Sequence, residues 1–564
     1  MSGSLEQIIR KHVLKNAFDY GKANAGSVVG KVIGEFPDCK KDMKATMAKI
    51  SAEIARVSKL TKAQVESEMN GFEYLVKKEE KKAIELPNAV AGRVVTRFPP
   101  EPSGYPHIGH AKAAWLDYEA AKTYGGKMLL RFDDTNPEKE SVEFVDAIKE
   151  GLEWLGIGWA SETYTSDNLP AIYDASQKLI EAGKAYVCTC PQEEMSKGRS
   201  DGRPCACRGN PTHENSERWK KMLDGTFKEG GAVLRFKGDL SADNTVMRDP
   251  SLGRILTAKH YRQGAKYRVW PGYDLAVCVM DHLEGITHSM RSKEYELRDE
   301  LSTAIYGSLG WKSPELIGFS RLAIKGAPIS KRLLTPMVKE KKVMGWDDPR
   351  LPTLAGLKRR GILPEAIREF VLSFGLSKVE SEPDWEGLLA LNRKLLDPES
   401  PHYFFVAEPV ELEVKGLEPR TIELKAHPRK DVGMRKLEVT SHLYISGSDA
   451  KGLKTGEIFR LKDLCNVKLT KKGKSLAGEL VPDSQVDKKI QWVGGGRLEC
   501  RVLMPKDLLD ANGEYDPKSL ETVEGYCESS CASLAAGTAV QFERFGFCRF
   551  DGKKGGALVF VFSC

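Results

Sequence analysis

A chain of 564 residues, 41% hydrophobic and 29% charged, has material for several cores and too much for one, so three to five domains are expected. No stretch approaches the apolar run needed to span a bilayer, and MSGSLEQIIRKHVLKNAF lacks the apolar core of an export signal, so a cytoplasmic location without membrane contact is expected. The formal charge of +7 is modest, but basic residues cluster in LKRRG at 357–361, HPRKDVGMRK at 427–436 and KLTKKGK at 468–474. Each clump alone reads as a solvated surface, whereas several in one chain suit a polyanion.

In chain order, residues 1–88 carry apolar residues at three- and four-residue spacing in LEQIIRKHVLKNAFDYGKA, MKATMAKISAEIARV and TKAQVESEMNGFEYLVKKEEKKA. That spacing predicts a helical extension, with Thr61 capping the last helix. ELPNAVAG breaks the pattern and marks a boundary near residue 88. From 89 to 320 the texture alternates: GRVVTRF, a short β-branched strand; GHAKAAWLDYEAAKTYGG, a helix closed by glycines; KMLLRFDD, a strand; SVEFVDAIKEGLEWLG, a helix. Strand, helix, strand with short links predicts a parallel sheet with right-handed crossovers. Residues 321–397 read as mainly helical. From 398 the period becomes two, in VELEVKG, TIELKAH, RKLEVTSHLYIS, KIQWVGGGRLECRVLM, TAVQFERFGFCRF and ALVFVFSC, which predicts one or two antiparallel barrels.

Chemistry concentrates where the first predicted strand ends, in RFPPEPSGYPHIGH, residues 97–110. The proline-rich turn cannot be helical, and a helix starts near Gly109. Its exposed first-turn amides form an anion site, and Gly104 and Gly109 let backbone approach a ligand closely. His107 and His110, three residues apart on one face, can donate hydrogen bonds to phosphate oxygens. On the residues alone, two histidines capping a tight turn remain an equal alternative.

Farther along, YVCTCPQEEMSKGRSDGRPCACR holds Cys188, Cys190, Cys205 and Cys207, two Cys-x-Cys pairs fourteen residues apart. Four thiolates on a loop of that size match a tetrahedral structural zinc site, with unliganded thiols as the alternative. The remaining cysteines are scattered, as reduced thiols are.

RFPPEPSGYPHIGH resembles the first signature of class I aminoacyl-tRNA synthetases, and its Pro-Pro-Glu-Pro-x-Gly lead resembles the glutamyl and glutaminyl branch in its archaeal and eukaryotic form, with Pro106 where that branch more often has leucine. AIKGAPISKRLL at 323–334 resembles the second signature, a mobile lysine loop. The resemblance extends through GYDLAVCVMDHLEGITHSMRSKEY, GWDDPRLPTLAGLKRRGILPEAI and VEGYCESSCASLAAGTAVQFERFGFCRFD. It implies a Rossmann-like catalytic domain at 89–320, an acceptor-end insertion at about 186–260 carrying the cysteines, a helical connecting domain at 321–397, and an anticodon-binding β-barrel region at 398–564.

The resemblance also implies a reaction: ATP, with Mg²⁺, activates an amino acid to its adenylate, which is passed to the terminal adenosine of tRNA. His107, His110 and Lys331 would stabilise phosphate charge, with Gly104, Gly109, Ser330 and Arg332 binding ATP. Asp133 matches the acid that receives the substrate ammonium, and Arg97 and Tyr273 match pocket residues. Arg291 falls where glutamyl enzymes resemble one another in having arginine. A γ-carboxylate needs a cation and a γ-amide does not, so glutamate and tRNA(Glu) are the expected substrates. Val277 departs from the pattern, standing where bacterial glutamyl enzymes carry asparagine. A glutaminyl enzyme and an inactive, synthetase-derived RNA-binding protein are the alternatives. The N-terminal helices are a candidate surface for protein partners.

Overall fold

The structure, a computed structural model, describes residues 4–20, 23–69, 71–72, 84–328, 331–380 and 382–564. Two compact units divide the chain, Met1–Ala83 and Ile84–Cys564. In the first, helices Leu5–Tyr20, Ala25–Glu35, Met43–Val57 and Lys62–Met69 bury Val13, Leu14, Val28, Val32 and Ile50 among themselves. Asn24 and Asp42 cap the second and third through first-turn amides. Thr61 and Gln64 close a reciprocal capping box on the fourth. The predicted helix from Thr61 to Ala83 is described as far as Met69, and residues 70 and 73–83 lie outside the described residues. The expected boundary at 88 moves to 83/84, because Ile84 and Leu86 pack with Val94, Leu116, Met290 and Phe319.

The second unit is built on parallel strands. Val95–Phe98, Lys127–Phe132 and Glu162–Tyr164 lie side by side in parallel, connected by helices Ile108–Thr123 and Val142–Trp154. A second parallel pair, His288–Ser292 and Glu315–Phe319, sits against the free edge of the first strand, where the Thr287 amide donates to the Val95 carbonyl at 3.0 Å. Chain direction along the sheet therefore reverses its winding between Val95–Phe98 and His288–Ser292. A crevice outside the carboxyl ends of strands at such a reversal is where doubly wound sheets bind ligands.

Between these halves the chain forms an antiparallel sheet of Ala185–Cys188, Val233–Phe236, Ser251–Ile255 and Val269–Pro271, covered by helices Leu169–Glu181 and Thr212–Leu223. The expected break at 320 is not a break in packing. Leu354, Leu357, Phe370, Trp385 and Leu388 share one core with Phe98, Ile108, Leu130 and Ile148, so the helices after residue 350 complete the core of the parallel-sheet domain.

From His402 onward, a seven-stranded and a six-stranded sheet follow, with a two-stranded ribbon, Arg420–Lys425 and Met434–Val439. The expected barrels are near-closed and mixed. Most pairs are antiparallel, but Val410–Lys415 runs parallel to Leu476–Val481, and Leu498–Pro505 to Ala557–Phe562. Among the described residues no helix is long and apolar enough to cross a membrane.

Buried charge ties the ribbon to the seven-stranded sheet. The Arg435 guanidinium, its side chain 3% exposed, pairs with Glu528 and, at 3.1 Å, with Glu543, beneath the Phe404 ring. Arg435→Met leaves Glu528 buried and unpaired, at an expected cost of about 3–5 kcal/mol. Calorimetry should show the C-terminal region unfolding at lower temperature. An unchanged transition would mean that Glu528, whose burial outweighs Arg435 and lifts its pKa to about 7, takes up a proton instead.

Candidate active site

A cavity of about 650 Å³ opens at the winding reversal. Arg97, Phe98 and Pro99 line it from the first strand, and Met290, Arg291 and Ser292 from its neighbour. His107, Gly109 and His110 line it from the first turn of Ile108–Thr123.

The two histidines cap that helix, and the capping assigns their protons. His107 is the N-cap residue; its Nδ1 accepts the Gly109 amide at 3.1 Å, while His110 Nδ1 accepts the His107 amide at 3.2 Å. Each Nδ1 is thus an acceptor, which puts the ring proton of each neutral imidazole on Nε2. Removal from water lowers both pKa values, His110 to about 4, and the neighbouring His110 and Arg321 add to the effect at His107. Both rings are neutral Nε2–H donors near neutrality. The alternatives left open by the sequence, cap or ligand donor, are therefore compatible, since capping uses one nitrogen and leaves the other. Gly109 has a packing reason: a Cβ there would lie 2.9 Å from His107 Cε1.

Segment 346–354 braces this turn. The Ile108 amide donates to the Pro352 carbonyl at 2.9 Å, the Leu354 amide donates to the Pro106 carbonyl at 2.8 Å, and the Tyr105 ring stacks on Trp346 at 5.1 Å. Pro106 contributes only a carbonyl and a packed ring, so the change from leucine leaves the imidazoles undisturbed.

Beneath the cavity lies a buried ionic network. Asp281 Oδ1 accepts from Arg97 Nε at 2.9 Å and Arg131 Nη2 at 2.8 Å, and Arg131 reaches Glu284 at 2.8 Å and Asp133 at 3.1 Å. Burial alone would raise Asp281, but the two guanidiniums hold it below its ordinary value. At Asp133 burial outweighs Arg131 and the Thr165 hydroxyl, and the pKa rises. Arg97 faces the cavity, yet its donors are engaged by Asp281, Ser289 Oγ and the Met290 carbonyl.

Arg291 differs. It is 6% exposed and pairs with Asp299 at 2.6 Å, and its Nε is buried without a hydrogen-bond partner. The Tyr273 ring lies 4.7 Å from Tyr295, and burial pushes its phenol up to about 12, so it stays protonated. Val277 is buried and outside the lining.

Of the residues singled out in the sequence, the cavity gathers His107, His110, Gly109, Arg97, Asp133, Tyr273 and Arg291. Gly104 lies in the preceding turn, outside the lining, and Arg332 is exposed on the helix Lys331–Lys339, also outside it. Lys331 starts that helix, with its side chain outside the described residues, as is Ser330. Periodicity gave no hint of Lys112, Asp117, Glu140 or Arg321, which also line the cavity. Glu140 Oε2 is buried without a hydrogen-bond partner, 3.4 Å from His260 Nε2, and burial lifts its pKa to about 8. His260 comes from the inserted sheet region, a contact no local pattern could announce.

The four cysteines converge elsewhere, in the insertion. Sγ of Cys188 and Cys205 are 3.7 Å apart, those of Cys190 and Cys207 3.8 Å, and all four are free thiols. Sulfurs around a tetrahedral zinc, with Zn–S of about 2.3 Å, would stand ~3.8 Å apart. Arg235 approaches Cys188 and Cys205; burial raises the Cys188 and Cys190 thiols, while at Cys207 burial is outweighed by the Thr189 amide and hydroxyl, Cys190 and Arg218, and the pKa falls to about 7. The Sγ atoms of Cys188, Cys190 and Cys205 all lie within 4.8 Å of one another, a spacing that fits ligands of one metal, and Cys207 joins them through Cys190.

On the β region, Arg429 and Lys430 pair with Asp397 and Glu399, and the Lys472 ammonium donates to the Lys451 and Leu453 carbonyls. Those cations thus have intramolecular partners, which limits what they offer a polyanion.

Residues 93–398 match the family described as tRNA synthetases class I (E and Q), catalytic domain, and residues 400–482 and 489–551 match two families described as its anti-codon binding domain. The chain is 45% identical over 561 residues to the glutamate–tRNA ligase of Nitrosopumilus maritimus, covering 98% of each. It is 44% identical over 545 residues to that of Cenarchaeum symbiosum, covering 96% of each, and 41% identical over 578 residues to that of Pyrococcus horikoshii, covering 99% of each. With two neutral histidines capping a helix at the winding reversal of its sheet, and with family identity along its whole length, the chain belongs to the class I tRNA synthetases of the E and Q family.

Proposed function

We infer that the chain is a glutamate–tRNA ligase, and the observation that carries this is Arg291: a buried guanidinium at the cavity wall whose Nε has no partner. A γ-carboxylate oxygen would give that Nε–H a charged acceptor beside Asp299, whereas a γ-amide would offer it only a neutral oxygen. Asp133, on the end of the second strand, receives the ammonium group, and the protonated Tyr273 phenol closes the pocket between them. Arg97 acts chiefly from beneath, fixing Asp281 and the strand carrying Met290 and Arg291.

In the first step an α-carboxylate oxygen of glutamate forms a bond to the α-phosphorus of ATP, and pyrophosphate leaves with the bond electrons. Mg²⁺ bound to ATP would share the phosphate charge. The Nε2–H groups of His107 and His110 donate to phosphate oxygens as charge accumulates, and Lys331, Arg332 and Ser330 close over the leaving pyrophosphate. Gly109 keeps backbone close to the nucleotide, and Gly104 shapes the turn before it. In the second step a hydroxyl oxygen of the terminal adenosine of tRNA(Glu), the 2′-hydroxyl by class I habit, attacks the glutamyl carbonyl and AMP departs. Residues 400–551 grip the anticodon end, where unstacked bases supply the preference. Cys188, Cys190, Cys205 and Cys207 would hold a structural Zn²⁺, which would staple the segment carrying the helix Gln192–Asp201 to the insertion.

Glutamate-dependent exchange of pyrophosphate into ATP, measured with tRNA present, tests the assignment. Arg291→Cys should lower kcat/KM for glutamate about a hundredfold, or about 2.7 kcal/mol. Unchanged glutamate kinetics would remove the main reason for preferring glutamate to glutamine. His107→Asn separates capping from donation, since asparagine is a favoured N-cap residue but lacks the Nε2–H. Thermal stability should hold while adenylate formation falls about 10²-fold. Full activity with unchanged stability would mean that His107 only caps. Metal analysis of chelator-washed protein should find about one zinc per chain, lost when Cys188 and Cys190 are both replaced by serine; metal-free protein of full activity would defeat the zinc assignment.

A further inference from the structure

Lys112 lies two residues past His110 on the helix Ile108–Thr123 and is 1% exposed. Its ammonium donates to the Ser320 carbonyl at 2.7 Å and to Ser320 Oγ at 3.0 Å. The rings of Phe319 and Phe374 stand 5.7 and 5.6 Å from Nζ. Among the described residues no carboxylate pairs with it, and burial lowers its pKa to about 8. A buried cation without a counter-ion is expensive, and a position that served packing alone would be filled better by Leu or Met.

What the ammonium holds gives its use. Ser320 follows the strand Glu315–Phe319, is 1% exposed, and its amide donates to the Ser377 carbonyl at 2.8 Å. Arg321 and Leu322, next along the chain, line the cavity, and the Leu322 carbonyl would stand 3.4 Å from a Cβ at Gly109. From there the chain runs through Lys325, whose amide donates to Pro383, into Ile-Ser-Lys-Arg. One ammonium therefore joins the helix bearing the first signature to the root of the second.

We propose that Lys112 is a positioning residue: its ammonium, beside the Phe319 and Phe374 rings, holds Ser320 and so fixes Arg321 and Leu322 on the cavity wall, from which Arg321 reaches the triphosphate. The inference rests on reading this cavity as the ATP site. Lys112 touches no reacting atom in this scheme. It should weigh on ATP more than on glutamate, because Asp133 and Tyr273 stand on other elements and Arg291, on the strand paired with Glu315–Phe319, keeps its own partner Asp299.

The test is equilibrium dialysis of MgATP against the full-length protein without glutamate or tRNA, with pyrophosphate-exchange kinetics alongside. Lys112→Met should weaken ATP binding and raise its KM about tenfold, while KM for glutamate stays within about twofold. Lys112→Arg, which keeps the charge, should stay within about threefold of wild type. Ser320→Ala, which removes the hydroxyl and keeps the carbonyl contact, should weaken ATP binding less than Lys112→Met, and adding it to Lys112→Met should cost nothing more. Wild-type ATP affinity in Lys112→Met, equal loss in Lys112→Arg, or full additivity with Ser320→Ala would overturn the proposal. Should Lys112→Met fail to fold, Ser320→Ala and Lys112→Arg decide it, and wild-type ATP binding by Ser320→Ala overturns it. Lack of glutamate-dependent exchange by the wild type would instead defeat the glutamate assignment, leaving the ATP comparison intact.

Discussion

The carboxylate of Asp281 is the constraint on which the site depends. It stands between two fully buried guanidiniums, Arg97 on the first strand and Arg131 on the second, and it comes from the helix Tyr273–Leu283 that follows the inserted sheet. Two buried cations would repel each other and lack water; one shared acceptor turns them into a bond between three elements. The position of Asp133 follows through Arg131, and that of the Met290–Arg291 strand through Arg97. A hydrophobic replacement could serve stability as well, but would not leave polar groups aimed at fixed points in a cavity.

A second constraint is tautomeric. Because backbone amides occupy both Nδ1 atoms, the helix terminus that attracts an anion also decides which nitrogens can greet it. The rings need no protonation to donate, so burial, which lowers both pKa values, leaves each with an Nε2–H to offer the cavity.

The parts of the site legible in the sequence are those made by neighbours in the chain. His107, Gly109 and His110 form one turn, and their spacing announces it; the four cysteines are paired by two-residue steps, and the first strands and helices declare themselves by period. What escapes joins distant residues. Lys112 meets Ser320, and Glu140 meets His260, with nothing local to mark either. Period two predicts strands but carries no direction, so the parallel pairs in the C-terminal sheets could not be read. The boundary expected at 320 failed for the same reason: a change of texture marks a change of secondary structure, and the core ignores it. Arg97 is in the cavity as its motif suggests, but only the structure reveals that its donors turn inward.

The shared core of the nucleotide fold has a consequence for synthesis on the ribosome. Phe98, Ile108 and Leu130 emerge early, yet the apolar faces they present are covered by Leu354, Phe370, Trp385 and Leu388, which come much later. Meanwhile the inserted sheet, whose strands pair with close neighbours in sequence, can complete its own ladder. The nascent chain therefore carries a finished module in the middle of an unfinished one, and the half-built sheet keeps an open edge at Val95–Phe98 until His288–Ser292 arrives. That exposed edge and apolar surface persist until Leu388 has been made, so the cleft cannot be completed before then and the nascent chain is open to aggregation meanwhile.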